Sequence, residues 1–256
     1  MYNKRTMKYE YIKNFEVKYC ETDFKDELKL STVLSYMEEV ACLSADELGF
    51  GYEYIKSKGH AFVVSNIHCE FVSPIKLGER VRVSTWPTPP SYVIFGREYR
   101  FWAENTIRIN ASSRWCLLDV ETGKILQSKV IDNQDYSTYN TDKVMENVQW
   151  KIPTFQIDQA ELRYSFKVAS ADYDHNMHVN NTHYADYCIN CFSVAELAEK
   201  TLKSFSITYV KQCYEGETLR FYRKNEKETY FVQGVNEKDE IVMQAKLVFA
   251  ENGVGA

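Results

Sequence analysis

Short apolar or alternating runs bounded by turn residues fill most of the chain, which is the pattern of a β-rich fold. Tyr11–Tyr19 is aromatic and β-branched with partial alternation and predicts a strand. The stretch VLSYMEEVACLSADEL follows Ser31 and Thr32, either of which can cap a helix running to Gly49. Strand-like runs then begin at Ala61 (AFVVSNIHCEFV), Arg80 (RVRVSTW), Val93 (VIFGREYRFW) and Ile109 (INASSRWCLLDV). Glu121-Thr122-Gly123-Lys124 is a hairpin turn signal.

The same order then recurs. LRYSFKV from Leu162 predicts a strand, and a helix follows from about Thr182 to Lys200. Strands are predicted near Phe205–Cys213, Thr218–Arg223, Thr229–Val235 and Ile241–Phe249, with a last hairpin turn at Asn236–Asp239. The recurrence is also visible residue by residue. At a constant spacing of 151, FEVKYCETD from Phe15 aligns with FKVASADYD from Phe166, pairing Val17 with Val168 and Asp23 with Asp174. Ser31 pairs with Thr182 and Tyr36 with Tyr187. A later block aligns at 138, with Phe71-Val72 on Tyr209-Val210 and Gly78-Glu79 on Gly216-Glu217.

One long helix beside meandering antiparallel strands is an α+β plan. The apolar face of the sheet has to cover the helix, which is the hot-dog arrangement. The expectation is two tandem hot-dog domains forming a pseudo-dimer within one chain. The first covers residues 1–131, the second 161–256, and a polar aperiodic linker covers 132–160.

Composition narrows the classes. The apolar fraction of 45% is enough for a sizeable core. A net charge of −5 argues against a general nucleic-acid binder, yet leaves room for a local basic patch facing an acidic partner. The 19 Tyr and 14 Phe suit sheet packing, or the lining of a lipid tunnel. Met1–Lys13 has no apolar core of a signal peptide, and no run approaches the ~18 residues of a membrane span. Seven scattered cysteines then read as reduced thiols, and the expected compartment is the cytoplasm.

Candidate chemistry concentrates before the second helix. Asp172 to Tyr184 reads DYDHNMHVNNTHY and holds three of the five histidines. Such polar density is costly to bury and suits a site. Asp174 supplies a carboxylate, His178 a group able to move a proton near neutral pH, and Asn176 a hydrogen-bonding amide. In extended backbone residues 174, 176 and 178 would share one face. Asn180 or Asn181 can cap the helix, and the amides and dipole at its start could stabilise an oxyanion. The plainer reading gives these residues only loop and cap duties. His175 and His183 are expected on the surface or behind the site. Cys188-Ile189-Asn190-Cys191 has CxxC spacing, but one turn apart in a helix the thiols read as core packing rather than a zinc site. No cofactor or metal is expected, because no glycine-rich nucleotide loop or G-x-S-x-G is present.

The segment D-H-N-M-H-V-N-N-T-H-Y resembles the D-x-N-x-H-V-N-N-x-x-Y motif of plant and bacterial acyl-ACP thioesterases. SSRWCLLDVETGK from Ser112 is similar to the end of that family's first hot dog. ITYVKQC, ending at Cys213, stands where the family has a strand ending in Glu-Cys. The resemblance implies hydrolysis of the thioester of a fatty acyl group on the phosphopantetheine of acyl carrier protein. It implies catalytic roles for Asp174, Asn176 and His178, with Gln212, Cys213, Asn180 and Asn181 in support. It also implies that the first hot dog holds the acyl chain.

Gln212 departs from the family's glutamate and cannot serve as a base, which leaves Asp174 as the motif's carboxylate. Cys213 matches a cysteine once proposed as nucleophile and reads better as a pocket residue. In the first copy TDFKDELKLST keeps Asp23 but lacks the histidine and both asparagines. Plant members carry a plastid-targeting extension, and none is visible here, so a bacterial cytoplasmic enzyme is the expectation. A hot-dog acyl-CoA thioesterase, a hydratase that frees no thiol, and a non-catalytic acyl-binding protein are the competing functions. No nucleic acid and no membrane insertion are expected, and a homodimer is allowed.

Overall fold

The computed structural model describes residues 8–131 and 138–252. The first half runs β1 (Tyr11–Glu16), α1 (Leu30–Glu47), α2 (Tyr52–Ser57), β2 (His60–Phe71), β3 (Arg80–Pro87), β4 (Phe95–Ala103), β5 (Thr106–Asp119) and the short β6 (Ile125–Leu126). The second runs β7 (Glu161–Lys167), α3 (His183–Ile189), α4 (Val194–Ala198), β8 (Lys200–Tyr209), β9 (Thr218–Glu226), β10 (Thr229–Val235) and β11 (Ile241–Glu251). All strands belong to one antiparallel sheet in the order β1-β3-β4-β5-β2-β8-β11-β10-β9-β7, with β6 paired to β5. Read outward from the middle, the order is the same on both sides. The halves therefore relate by a pseudo-twofold axis at the β2–β8 seam, where Asn66 faces Thr208 and Glu70 faces Ser204.

The repeat spacings hold in the hydrogen bonds. Val17 N–H donates to Glu79 O and Val168 N–H to Glu217 O. Gly78 N–H donates to Val17 O and Gly216 N–H to Val168 O. Both glycines have positive φ, 78° and 89°, where a side chain would be strained. The Tyr36 hydroxyl donates to Glu21 and the Tyr187 hydroxyl to Asp172, each at 2.9 Å and each at the spacing of 151.

The helices lie on the sheet's apolar face. Val33, Leu34, Met37, Val40 and Ala41 of α1 recur at helical spacing and are buried with Val81, Val83 and Phe101. Burying one such side chain contributes roughly 1.5–3 kcal/mol. α1 begins at Leu30 after Lys29, and neither Ser31 nor Thr32 caps it: Thr32 Oγ1 donates to Glu21 O instead.

The expected single helix from about 182 to 200 is two short ones. α3 ends at Ile189, and Ser193 starts α4 afresh by accepting from Glu196 N–H while its own N–H donates to the Glu196 carboxylate. Arg163 and Arg223 hold the break open by donating to Cys191 O.

Of the predicted linker, residues 132–137 lie outside the described residues. The rest packs on the body: Trp86 Nε1–H donates to Asp142 O, and Met145 and Ile152 are buried. No helix among the described residues is long and apolar enough to cross a membrane.

Candidate active site

Asp174 to His178 forms a tight turn rather than the extended run the alternation suggested. Met177 takes a left-handed φ of 64°, which reverses the chain, and Tyr173 then bridges to Val179. Asp174 N–H donates to His178 O at 3.0 Å and Met177 N–H to Asp174 O at 3.2 Å. The turn, not the pleat, brings the three side chains together.

Asp174 Oδ1 accepts the Asn176 N–H at 2.8 Å, and Oδ2 accepts from Asn176 Nδ2 at 3.3 Å. The same Oδ1 lies 3.8 Å from His178 Nδ1. His178 Nδ1 is 3.1 Å from Val179 O. A carbonyl can only accept, so Nδ1 carries a proton and Nε2 is the atom free to exchange one. Val179 N–H in turn donates to Cys213 O, which ties the turn to the chain leaving β8.

Asn180 holds the approach to α3. Its Oδ1 accepts from Thr182 N–H at 2.9 Å and Thr182 Oγ1 at 2.8 Å. The helix itself starts at His183 and has seven residues. Asn181 does not cap it. Its backbone carbonyl accepts from the Tyr209 hydroxyl at 3.0 Å, and its Oδ1 is buried without a hydrogen-bond partner among the described residues.

His175 is exposed and meets the ring of Tyr52 edge-on at 5.2 Å, and His183 lies near Tyr187. Gln212 is exposed, and its amide oxygen accepts from the Tyr214 hydroxyl at 2.9 Å. No hydrogen bond joins it to the Asp174 turn among the described residues. Cys213 is 1% exposed, and burial pushes its thiol up to about 11. Only about one thiol in ten thousand would then be ionised at pH 7, too few for an efficient nucleophile.

Cys188 and Cys191 are fully buried, and Cys191 Sγ donates to Tyr187 O. Among the described residues no three His, Cys, Asp or Glu side chains are grouped to hold a metal.

One group here lay outside the motif. Glu38 of α1 belongs to the other half, yet it faces the turn. Burial pushes its carboxyl above the ordinary carboxylate range, and the neighbouring Asp174 pushes it further, while His175 and His178 pull it down. Glu38 lines a small cavity with Leu34, Met37, Ile67, Tyr99 and Trp115 of the first half and Asn181 and Thr182 of the second. A sequence signal existed: Glu38 stands four residues after Leu34, so it sits in line with the apolar stripe of its helix.

Two fused hot-dog units, with the polar turn of the second beside a small apolar cavity lined from both halves, define a tandem hot-dog protein. The comparisons with known proteins are specific. Residues 8–133 match the model of the acyl-ACP thioesterase N-terminal domain, and residues 156–251 match that of the C-terminal domain. The chain belongs to the acyl-ACP thioesterase family.

Among its relatives is the chloroplastic oleoyl-acyl carrier protein thioesterase 2 of Arabidopsis thaliana, 22% identical over 238 residues. That alignment covers 82% of this chain and 62% of the relative, so the chain spans less than two thirds of the relative's length. The fold is shared with an acyl-ACP thioesterase from Bacteroides thetaiotaomicron at a TM-score of 0.84 and 19% identity, covering 94% of this chain and 98% of that one. It is shared equally with the 12:0-ACP thioesterase from Umbellularia californica, at 0.86 and 15%, covering 95% and 98%.

Proposed function

We propose that this chain hydrolyses the thioester of a fatty acyl group carried on acyl carrier protein, releasing the free acid and the carrier's thiol. The observation that carries the reading is the place of the Asp174–His178 turn. It lies against α1, whose Leu34 and Met37 line an apolar cavity, within a chain that matches both domains of the family.

The acyl tail would enter among Leu34, Met37, Ile67 and Trp115. That cavity is small, about 10 Å³, whereas ligand pockets run to ~300–1,000 Å³. Tail binding would therefore move side chains, and flexible Met37 is suited to yield. The thioester would then rest between the cavity and the turn. Asn176 positions the substrate by hydrogen bonding, His178 exchanges a proton through Nε2, and Asp174 fixes the turn and sets a negative charge beside the ring. Cys213, Asn180 and Asn181 support that frame. The seven cysteines are free thiols, which fits a reducing cytoplasm.

The test is to offer acyl carrier protein and CoA loaded with the same acyl groups, over a series of chain lengths, and to measure free acid and free thiol. Turnover of the carrier-bound thioesters with a marked length preference is expected. Equal or better turnover of acyl-CoA would replace the carrier protein as partner, and no thiol release from either would end the hydrolase reading.

A further inference from the structure

The apolar interior of the first half is in two pieces. Leu34, Met37, Ile67 and Tyr99 belong to the main core and line the small cavity. Phe50, Ile55, Leu117 and Ile131 form a second cluster, with Phe62 and Phe95 packed against it. The Phe62 ring lies 6.3 Å from that of Phe50 and 5.0 Å from that of Phe95. Strand β4 serves both pieces. Phe95, Arg97 and Tyr99 alternate onto its helix-facing side, so a guanidinium stands between a ring of one cluster and a ring of the other.

Arg97 is 6% exposed. Its Nη1 donates to Ser44 Oγ of α1 at 2.9 Å and to Thr85 Oγ1 of β3 at 3.3 Å, which braces the side chain between helix and sheet. Ser44 is buried too, and its Oγ accepts from the Tyr9 hydroxyl at 3.2 Å. Thr85 Oγ1 donates onward to Glu98 O at 2.9 Å. This polar belt borders the cavity. Ser113, a lining residue, is the direct partner of Arg97 across the β4–β5 pair. Its Oγ lies 3.0 Å from the hydroxyl of Tyr99, which also lines the cavity. Buried polar groups are tolerated where they have partners, and an alkyl chain offers none. A tail that pushed Arg97 aside would strip its hydroxyls from a cation held away from water, at a cost beyond what a few buried methylenes return. Met37 can yield by changing rotamer. Arg97 can yield only by breaking bonds to two elements.

We propose that Arg97, braced by Ser44 and Thr85, closes the far end of the acyl pocket and sets the longest acyl chain that this protein hydrolyses. The inference rests on the hydrolase reading above. Leaving the turn, the tail passes Leu34 and Met37 and ends against the belt. Met37 and Ser44 are seven residues apart on α1, a distance of ~10 Å. Beyond the belt stand Phe62 and Phe95, and beyond them a crevice of about 190 Å³ to which Ile55 and Ile131 of the second cluster contribute. Apolar side chains able to line a longer pocket are therefore present, on the other side of a cation.

The test compares the full chain with Arg97→Met, which keeps an unbranched side chain and removes the charge. kcat/KM is measured over saturated acyl groups of increasing length on acyl carrier protein, and thermal melting reports folding. Wild-type activity should drop sharply beyond one length. Arg97→Met should move that edge to longer chains, with about fourfold in kcat/KM for each further methylene taken in, and should keep its rate on shorter ones. Ser44→Ala removes one brace at little change in volume and should move the edge the same way by less. Phe62→Ala distinguishes a stop from general loosening. With Arg97 in place it should leave the edge where it is, and combined with Arg97→Met it should move the edge further.

A folded Arg97→Met enzyme with the wild-type edge overturns the inference. So does Phe62→Ala moving the edge while Arg97 is present, because the tail would then already pass the belt. Should Arg97→Met fail to fold, an unmoved edge in Ser44→Ala overturns it instead. A wild-type chain that hydrolyses no acyl thioester of any length overturns the functional reading, and this inference with it.

Discussion

The turn at Asp23–Leu28 and the turn at Asp174–Val179 are the same piece of backbone put to different ends. In both, the aspartate Oδ1 accepts the N–H two residues on, from Lys25 and from Asn176, at 2.8 Å. In both the third residue on is left-handed, Asp26 at 56° and Met177 at 64°. Leu28 N–H donates to Ile75 O as Val179 N–H does to Cys213 O. The side chains then part. Where the second half has Asn176 and His178, the first has Lys25 and Glu27. Glu27 is paired with Lys25 at 3.2 Å and with Lys76 at 3.0 Å. The lysine also donates to Lys200 O.

The aspartate is thus required by the turn wherever the turn occurs, with or without an imidazole nearby. What is particular to the second half is the histidine, the asparagine and a carboxylate reaching across from α1. At the position equivalent to Glu38 the other helix carries Ile189.

The interiors differ as well. The second half is filled by stacked and tilted rings of Tyr164, Phe166, Tyr187 and Phe221, with centroids 4.5–6.3 Å apart. The small cavity beside α1 is lined mainly by the first half, with Asn181 and Thr182 from the second.

The sharpest break in this comparison is His178→Ala. It should lower kcat by ~10²–10⁴ and reshape the pH–rate profile, measured on acyl carrier protein substrates. An unchanged profile would return the turn to a purely structural role. Next is a restoration attempt. Lys25→Asn with Glu27→His, placed in a His178→Ala chain, should recover no hydrolysis, because the helix facing that turn carries Ile189 at the Glu38 position and the interior beside it is packed with Tyr164, Phe166, Tyr187 and Phe221. Recovery would show that the turn alone suffices.

Asp23→Ala and Asp174→Ala should each destabilise by ~1–3 kcal/mol through lost acceptors, lowering the melting temperature by several degrees. Only Asp174→Ala should also reduce turnover, and equal losses of turnover would remove the distinction between the halves. Cys213→Ser should keep most activity and accumulate no acyl-enzyme by mass spectrometry; a trapped adduct would make the thiol a nucleophile. Gln212→Ala, facing Tyr214 and solvent, should have the smallest effect on kcat/KM.

The doubling and the order of elements along the chain were legible because both copies keep the residues that backbone pairing needs: the Val17 and Val168 positions, the paired glycines, the tyrosines on Glu21 and Asp172. The turn residues were legible through their unusual polarity. The break after α3 was missed although Ser193-x-x-Glu196 is a capping box, because a continuous apolar pattern outweighed it. Glu38 was missed for a different reason. A lone glutamate in an amphipathic helix gains meaning only when a segment about 140 residues later folds against it.

The β2–β8 seam has a consequence for how such a molecule can vary over generations. Were the two units separate identical chains, one codon would specify both turns. A lysine useful in one would then appear in the other, and any departure from symmetry would be forbidden. Joined head to tail through a single sheet, the halves are written by different stretches of gene and can be edited independently. One can trade its imidazole for an ion pair, or its aromatic filling for empty space, without the other following suit. Covalent fusion is what permits two descendants of one ancestor to stay partners while ceasing to be alike.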